Sequence, residues 1–323
     1  MADCCLPHRL DRDGDSGPAV GVSGMSLKIW FIATRPWSFV MTFVSVSLAA
    51  VLALKYDSFN APLYLLTLAG LILFHAATNM LNDYYDVKNT VDRVGAPTAR
   101  YRPHPLLTGT IGGRDFLIVT VMLYGLVILI VSYFTLIRGP LILLLTALGL
   151  FASVFYTASP VAFKYKALGE PVVFLVWGPL MVSGSYYTIT GIFSIEAMLA
   201  SIPIGILVLL VLLANNIRDI EYDRLVVKAT IAILLGAKRS LTLYAALLAV
   251  TYASTIVLVI LHVFSVYSLA ALFTVPIAAG LVRRFSVKVP DTADPETARL
   301  ALLFGLLLLA GELISISLGF WGA

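Results

Sequence analysis

Leu63-Tyr-Leu-Leu-Thr-Leu-Ala-Gly70-Leu-Ile-Leu-Phe-His75-Ala-Ala-Thr-Asn79-Met-Leu-Asn82-Asp83-Tyr-Tyr-Asp86-Val-Lys88 decides the fold. Its first part, Leu63 to Thr78, is an apolar run. Continued to Lys88 it is long enough to cross a bilayer, and it ends in a cluster of polar and charged side chains. Such groups are costly at membrane depth, so they face a water-filled cavity or a partner and mark function. On a helix Asn82 and Asp86 lie one turn apart on one face, with Asn79 and Asp83 beside them. Asp92 closes the stretch. A second stretch far downstream repeats the pattern: Asn215-Asn-Ile-Arg-Asp219-Ile-Glu-Tyr-Asp223. Here Asn215, Asp219 and Asp223 stand at i, i+4 and i+8. Two carboxylate stripes at two helix ends suggest one shared divalent-metal site.

Working outward, the 323 residues are 60% hydrophobic and only 12% charged, about half the charge of a soluble globule. Apolar runs of about 20 residues recur, as bilayer-spanning helices require. The fold class is therefore all-α and polytopic, with about nine transmembrane helices around a central cavity open to the cytoplasmic side. The spans fall roughly at 28–54, 61–87, 115–137, 140–158, 169–190, 196–220, 239–262, 266–285 and 297–320. Residues 1–26 read as a disordered polar tail without the pattern of a signal peptide, and 27–323 as a single transmembrane domain.

The cations test that topology. With the N-terminus inside, 20 of the 22 Lys and Arg residues fall on the cytoplasmic side, leaving only Lys55 and Arg138 opposite. The positive-inside rule is thus satisfied, and both Asn/Asp stripes lie at cytoplasmic helix ends. The protein reads as a multi-pass component of the cell membrane whose active site faces the cytoplasm. The net charge of +4 is spread over short loops, which argues against a nucleic-acid partner. Cys4 and Cys5 are adjacent and have no metal-ligand spacing. No P-loop, dinucleotide fingerprint, nucleophile elbow or zinc motif is present.

Oxygen-rich carboxylate sets of this kind suit Mg²⁺ shared with substrate phosphates. The candidate metal ligands are Asn82, Asp83, Asp86, Asn215, Asp219 and Asp223, set against the plain alternative of solvated helix ends. Cations on the same side would hold the anion: Arg35, Arg100, Lys164 and Lys228. Topology alone also gathers cations there. Tyr156, beside a Pro-broken loop with Tyr165, could face a carbocation by cation–π attraction or belong to an interfacial aromatic belt. His75 and Glu312, inside spans, are pocket or packing candidates. His104 carries no separate argument.

The paired stretches, with Arg35-Pro36 and the nine-span count, resemble the UbiA superfamily of intramembrane prenyltransferases over roughly 28–320. The step from Asp86 to Asp92, the segment Tyr156 to Glu170 leading to Gly184-Ser-Tyr-Tyr187, and Asn215-Asn-Ile-Arg-Asp219 are most similar to its menaquinone-forming branch, the 1,4-dihydroxy-2-naphthoate polyprenyltransferases. Thr90 stands where that branch often has Gly, and Val226-Val227 where a small residue and Gly are common. The resemblance implies Mg²⁺-dependent transfer of a polyprenyl group from a polyprenyl diphosphate to an aromatic acceptor. Asp86, Asp219, Lys164 and Tyr156 would be the catalytic residues. Other acceptors (4-hydroxybenzoate, homogentisate or geranylgeranylglyceryl phosphate) are alternatives, as is an ion-coupled transporter with an acidic cation site. Acceptor, chain length and oligomeric state stay open.

Overall fold

The computed structural model describes residues 26–93, 103–227 and 229–319. The chain forms α1 (Leu27–Ala33), α2 (Pro36–Lys55), α3 (Ala61–Lys88), α4 (Gly113–Arg138), α5 (Leu141–Phe155), α6 (Gly169–Thr190), α7 (Ile195–Arg218), α8 (Ile220–Val226), α9 (Ile231–Ile260), α10 (Val266–Val287) and α11 (Ala293–Ser317). Among the described residues there is no sheet; a single parallel bridge joins Lys166 to Ala229. Eight of these helices are long and apolar enough to cross a membrane, and α5, the span expected at 140–158, is an apolar helix of 15 residues. The protein is an integral multi-pass membrane protein.

Local chemistry sets the boundaries. Ser26, Asn60, Ser194 and Thr230 cap α1, α3, α7 and α9, each side-chain oxygen accepting a backbone N–H of the first turn. The first expected span is broken, because proline disfavours helical geometry in the residue before it. The helix therefore stops ahead of Arg35-Pro36. Arg35 turns left-handed (φ 57°), and α2 restarts with Pro36 in its first turn. The break between α7 and α8 falls at Asp219, and Gly236 (φ 76°) kinks the start of α9.

Helices α2 and α7 form the centre, with 67% of their apolar windows buried against 17% for α4 at the periphery. Without a hydrophobic force between helices in lipid, close packing depends on small residues. A Cβ on Gly205 of α7 would lie 3.0 Å from Gly178 Cα and 3.1 Å from the Phe174 carbonyl of α6. Beside that contact α6 widens into a π turn, Val176–Leu180, around Pro179, and Ser45 of α2 donates to the Trp177 carbonyl (2.9 Å). Glu312, expected to be costly, accepts from the Ser265 N–H and the Ser268 hydroxyl (2.5 Å each) where α10 begins. His75 is likewise partnered, by Thr42 (2.8 Å) and Ser38 (3.3 Å).

Two features frame the polar end of α3. One turn below Asn82, the hydroxyls of Thr78, Ser153 and Tyr124 join α3, α5 and α4 (2.7 and 2.6 Å). Beyond this bridge lies an apolar cavity of about 120 Å³, lined by residues that include Gly70, Phe74, Val127, Phe134, Gly149 and Met181.

Candidate active site

The loop after α5 brings the first cations to the first motif. The backbone N–H of Lys164 donates to the Tyr156 carbonyl (2.8 Å), and Ala162 and Ala167 are both left-handed (φ 48° and 57°). That compact turn aims two consecutive side chains at one carboxylate. Lys164 Nζ donates to Asp86 Oδ2 (2.7 Å) and Tyr165 Oη to Asp86 Oδ1 (2.5 Å). Asp86 is only 2% exposed, so its charge is balanced by contacts and not by water. Burial alone would lower the Lys164 ammonium pKa, but Asp86, Tyr165 and Asp92 outweigh it and raise it. Burial, then Asp86, raises the Tyr165 phenol, so it stays a donor. Thr157 donates to Asn82 Oδ1 (3.2 Å).

Asp83, on the neighbouring face of α3, belongs to a different cluster. Left-handed Arg35 grips both its oxygens. His104 Nε2 lies 3.2 Å from Asp92 Oδ2 and 3.5 Å from Asp83 Oδ1. The Leu107 N–H donates to His104 Nδ1 (3.2 Å), which places the ring proton on Nε2, toward the carboxylates. Asp83, Asp92 and His104 are all buried, with their ligand atoms within 4.8 Å of one another. Burial opposes and Asp83 most strongly favours the charged form of Arg35, and its pKa is raised.

The second motif approaches from α7 and α8. Tyr222 donates to the Val91 carbonyl (2.8 Å), and the Arg93 guanidinium lies 5.8 Å from its ring. The exits of the two motifs are thereby joined. Burial pushes the Asp223 carboxyl up to about 7, with Lys164 opposing the shift and Asp219 and Asp86 adding to it. Asp219, 4% exposed, takes both its oxygens to its neighbour Arg218 (2.7 Å each). Arg218 also donates to Asn215 Oδ1 (2.7 Å). Tyr156 sits among these groups: burial raises its phenol pKa, Lys164 and Arg35 oppose, and Glu170 and Asp86 add.

Of the expected residues, Asp86, Lys164 and Tyr156 come together, with Asn82 beside them, and Asp223 feels the charges of Lys164, Asp219 and Asp86. Asp83 and Arg35 form the adjoining cluster, Asn215 and Asp219 a third. Arg100 and Lys228, like residues 1–25, lie outside the described residues. Three participants escape a reading of the sequence. His104 has no spacing signal. Tyr165 reads there as an aromatic rather than a hydrogen-bond donor. Asn216 stands at i−3 and i−7 from Asp219 and Asp223, a helical stripe as good as the one chosen; it is buried and donates to buried Glu170 (3.0 Å).

Residues 40–308 match the model of the UbiA prenyltransferase family. The chain belongs to that family. A 1,4-dihydroxy-2-naphthoate octaprenyltransferase of Bacillus subtilis (strain 168) is 33% identical over 311 residues, covering 94% of this chain and 97% of its own. The UbiA prenyltransferase domain-containing protein 1 of Mus musculus is 32% identical over 291 residues, 88% and 84% of the two chains. Among solved structures, an apo UbiA homolog from Aeropyrum pernix K1 superposes with a TM-score of 0.66 at 19% identity, over 85% and 97%. A UbiA homolog from Archaeoglobus fulgidus bound to GPP and Mg²⁺ superposes at 0.59 and 15%, over 89% and 99%. This UbiA-family chain is an intramembrane prenyltransferase, and the transporter alternative falls away.

Proposed function

We propose that the protein transfers a polyprenyl group from a polyprenyl diphosphate to 1,4-dihydroxy-2-naphthoate, as a step in menaquinone formation, with its site open to the cytoplasm. The observation that carries the reading is that Lys164 pairs with buried Asp86 of the first motif (2.7 Å) while Tyr222 of the second motif donates to the Val91 carbonyl at the exit of the first (2.8 Å), which brings two distant stretches to one place. The aromatic acceptor is favoured by the similarity to the Bacillus subtilis enzyme over nearly the whole chain. Orientation rests on the sequence: with the N-terminus inside, the expected spans assign 20 of the 22 Lys and Arg residues to the motif side. The remaining two cap helix ends opposite, Lys55 on the His262 and Val263 carbonyls and Arg138 on those of Thr188 and Ile189.

The donor set fits Mg²⁺: carboxylates, of which Asp86 and Asp219 are buried and Asp223 half-buried, with an amide oxygen, and no sulfur or imidazole among them. Asp86, Asp219 and Asp223, with Asn82, would hold it. Bound there, Mg²⁺ supplies charge neutralisation for a diphosphate. The side chains account for the rest. Lys164 already bears on Asp86 and would share itself with the diphosphate oxygens as the C–O bond of the donor ionises. Arg35 would add positive charge beside Asp83, and Arg100 and Lys228 are further candidates by their place in the sequence. The leaving diphosphate keeps the bonding electron pair, and the allylic cation left behind is faced by the Tyr156 ring. An electron-rich aromatic carbon attacks it, and carbon dioxide leaves from that carbon as aromaticity returns. Helix packing on the apolar side excludes water that would quench the cation.

The test is the purified protein in lipid with Mg²⁺, labelled geranylgeranyl diphosphate and four acceptors: dihydroxynaphthoate, 4-hydroxybenzoate, homogentisate and geranylgeranylglyceryl phosphate. A prenylated, decarboxylated naphthoquinol with the first and little product with the others is expected. Product with a different acceptor only would replace the naphthoate reading.

A further inference from the structure

Arg218 is the most heavily committed cation among the described residues, and the proposed chemistry gives it no task. Its side chain is 4% exposed. Nε and Nη2 donate to Oδ1 and Oδ2 of Asp219 (2.7 Å each), and Nη2 also to Asn215 Oδ1 (2.7 Å). On its far side Nη1 donates to the Asp291 carbonyl (3.0 Å) and to Asp294 Oδ1 in the first turn of α11. A guanidinium is a rigid planar fork, so fixing one edge fixes the plane of whatever the other edge holds. The plane of the Asp219 carboxylate is therefore set from α11, a helix that contributes no ligand. Each Asp219 oxygen gives one lone pair to Arg218 and keeps another for a cation.

We propose that Arg218, anchored by Asp294, is a positioning residue that orients Asp219 toward a divalent cation, and that Asn215 serves this clamp and not the cation. The inference rests on the reading of Asp219 as a ligand. It makes three features cohere: an arginine buried next to a candidate cation site, an acidic partner on another helix, and an asparagine whose oxygen faces the arginine. A lysine at this place keeps the charge but loses the fork.

The test uses full-length protein in nanodiscs, with Mn²⁺ in place of Mg²⁺ and inorganic diphosphate as co-ligand, read by electron paramagnetic resonance. Arg218→Lys is expected to weaken Mn²⁺ binding by about 10- to 100-fold and to broaden the spectrum, as loss of a ligand's orienting partner does. Asp294→Asn should do the same to a smaller degree. Asn215→Ala should perturb the Mn²⁺ spectrum in the same sense as Arg218→Lys and to a smaller degree, whereas Asp219→Ala should remove a site. Should Arg218→Lys fail to fold, Asp294→Asn decides alone. Wild-type affinity and line shape in the folded Arg218→Lys and Asp294→Asn proteins would overturn the positioning role. Loss of a Mn²⁺ site in Asn215→Ala as complete as in Asp219→Ala would overturn the assignment of Asn215 to the clamp. Absence of any diphosphate-dependent Mn²⁺ binding by the wild type would remove the functional reading itself, and this inference with it.

Discussion

Asp86 and Asp219 hold the same place in two similar stretches, each four residues after an asparagine and each almost fully buried. Their surroundings differ. Asp86 is held by Lys164 and Tyr165, which reach it across 78 and 79 residues of chain. Asp219 is held by the residue beside it, and that residue is tied to α11. The first motif is completed by a loop, the second by a helix end. The pair teaches that sequence repetition does not imply equal mechanical roles: one carboxylate is held from a loop, the other from a helix end that is tied to α11.

Substitutions can break or sharpen that contrast. The largest effect is expected for Asp86→Ala and Asp219→Ala, each lowering turnover at saturating Mg²⁺ by about 10³-fold or more, the upper range for removing one electrostatic contact to a developing charge. Full activity in either, measured as labelled prenyl product, would show that one motif alone suffices. Lys164→Ala comes next, at about 10²-fold in turnover. If the loop is recruited on binding, its cost should appear in turnover more than in Mg²⁺ requirement, the reverse of Arg218→Lys. Tyr165→Phe removes one hydrogen bond to Asp86 and should cost about 10-fold; an unchanged rate would leave Lys164 as the sole partner that matters.

The smallest expected effect concerns how the chain leaves each motif. Thr90 is left-handed (φ 58°), whereas Val227 after the second motif is extended. A non-glycine residue in that conformation costs about 1–2 kcal/mol. Thr90→Gly should therefore raise the midpoint of thermal unfolding in detergent, and Val227→Gly should lower it. A lower midpoint for Thr90→Gly would mean that its side chain contributes more than its backbone costs. Of six non-glycine residues with positive φ among the described residues, four (Arg35, Thr90, Ala162 and Ala167) lie in segments that carry the site, where strain commonly gathers.

Much of this is legible in the sequence, for reasons that differ by element. Apolar run length locates the helices, since bilayer thickness fixes it. Asn79–Asp92 stands out because polar groups are rare there. Where a helix stops is harder to read. Phe155-Tyr-Thr-Ala stays apolar, yet α5 ends at Phe155 and the chain turns toward Asp86. The break at Arg35 comes from Pro36, but its left-handed geometry and its grip on Asp83 depend on tertiary context. His104 and Lys164 act across 12 and 78 residues respectively, on Asp92 and Asp86, and no local pattern encodes such distances. Arg218 reads only as one more cation on the cytoplasmic side, because charge asymmetry across a membrane does not distinguish a clamp from a topology signal.

The short helix α5 has a consequence for the bilayer. Fifteen residues rise about 22 Å, against a hydrocarbon core of about 30 Å. Hydrophobic mismatch on that flank is relieved by thinning the adjacent leaflet, and the thinned lipid would lie next to the loop that carries Lys164. Turnover should then track acyl-chain length: fastest in thin bilayers and slower as the lipid is lengthened, while α4 and α9, which both exceed the core, absorb the change by tilting. Equal rates in vesicles of short- and long-chain phosphatidylcholine would show that the loop, and not the membrane, absorbs the difference.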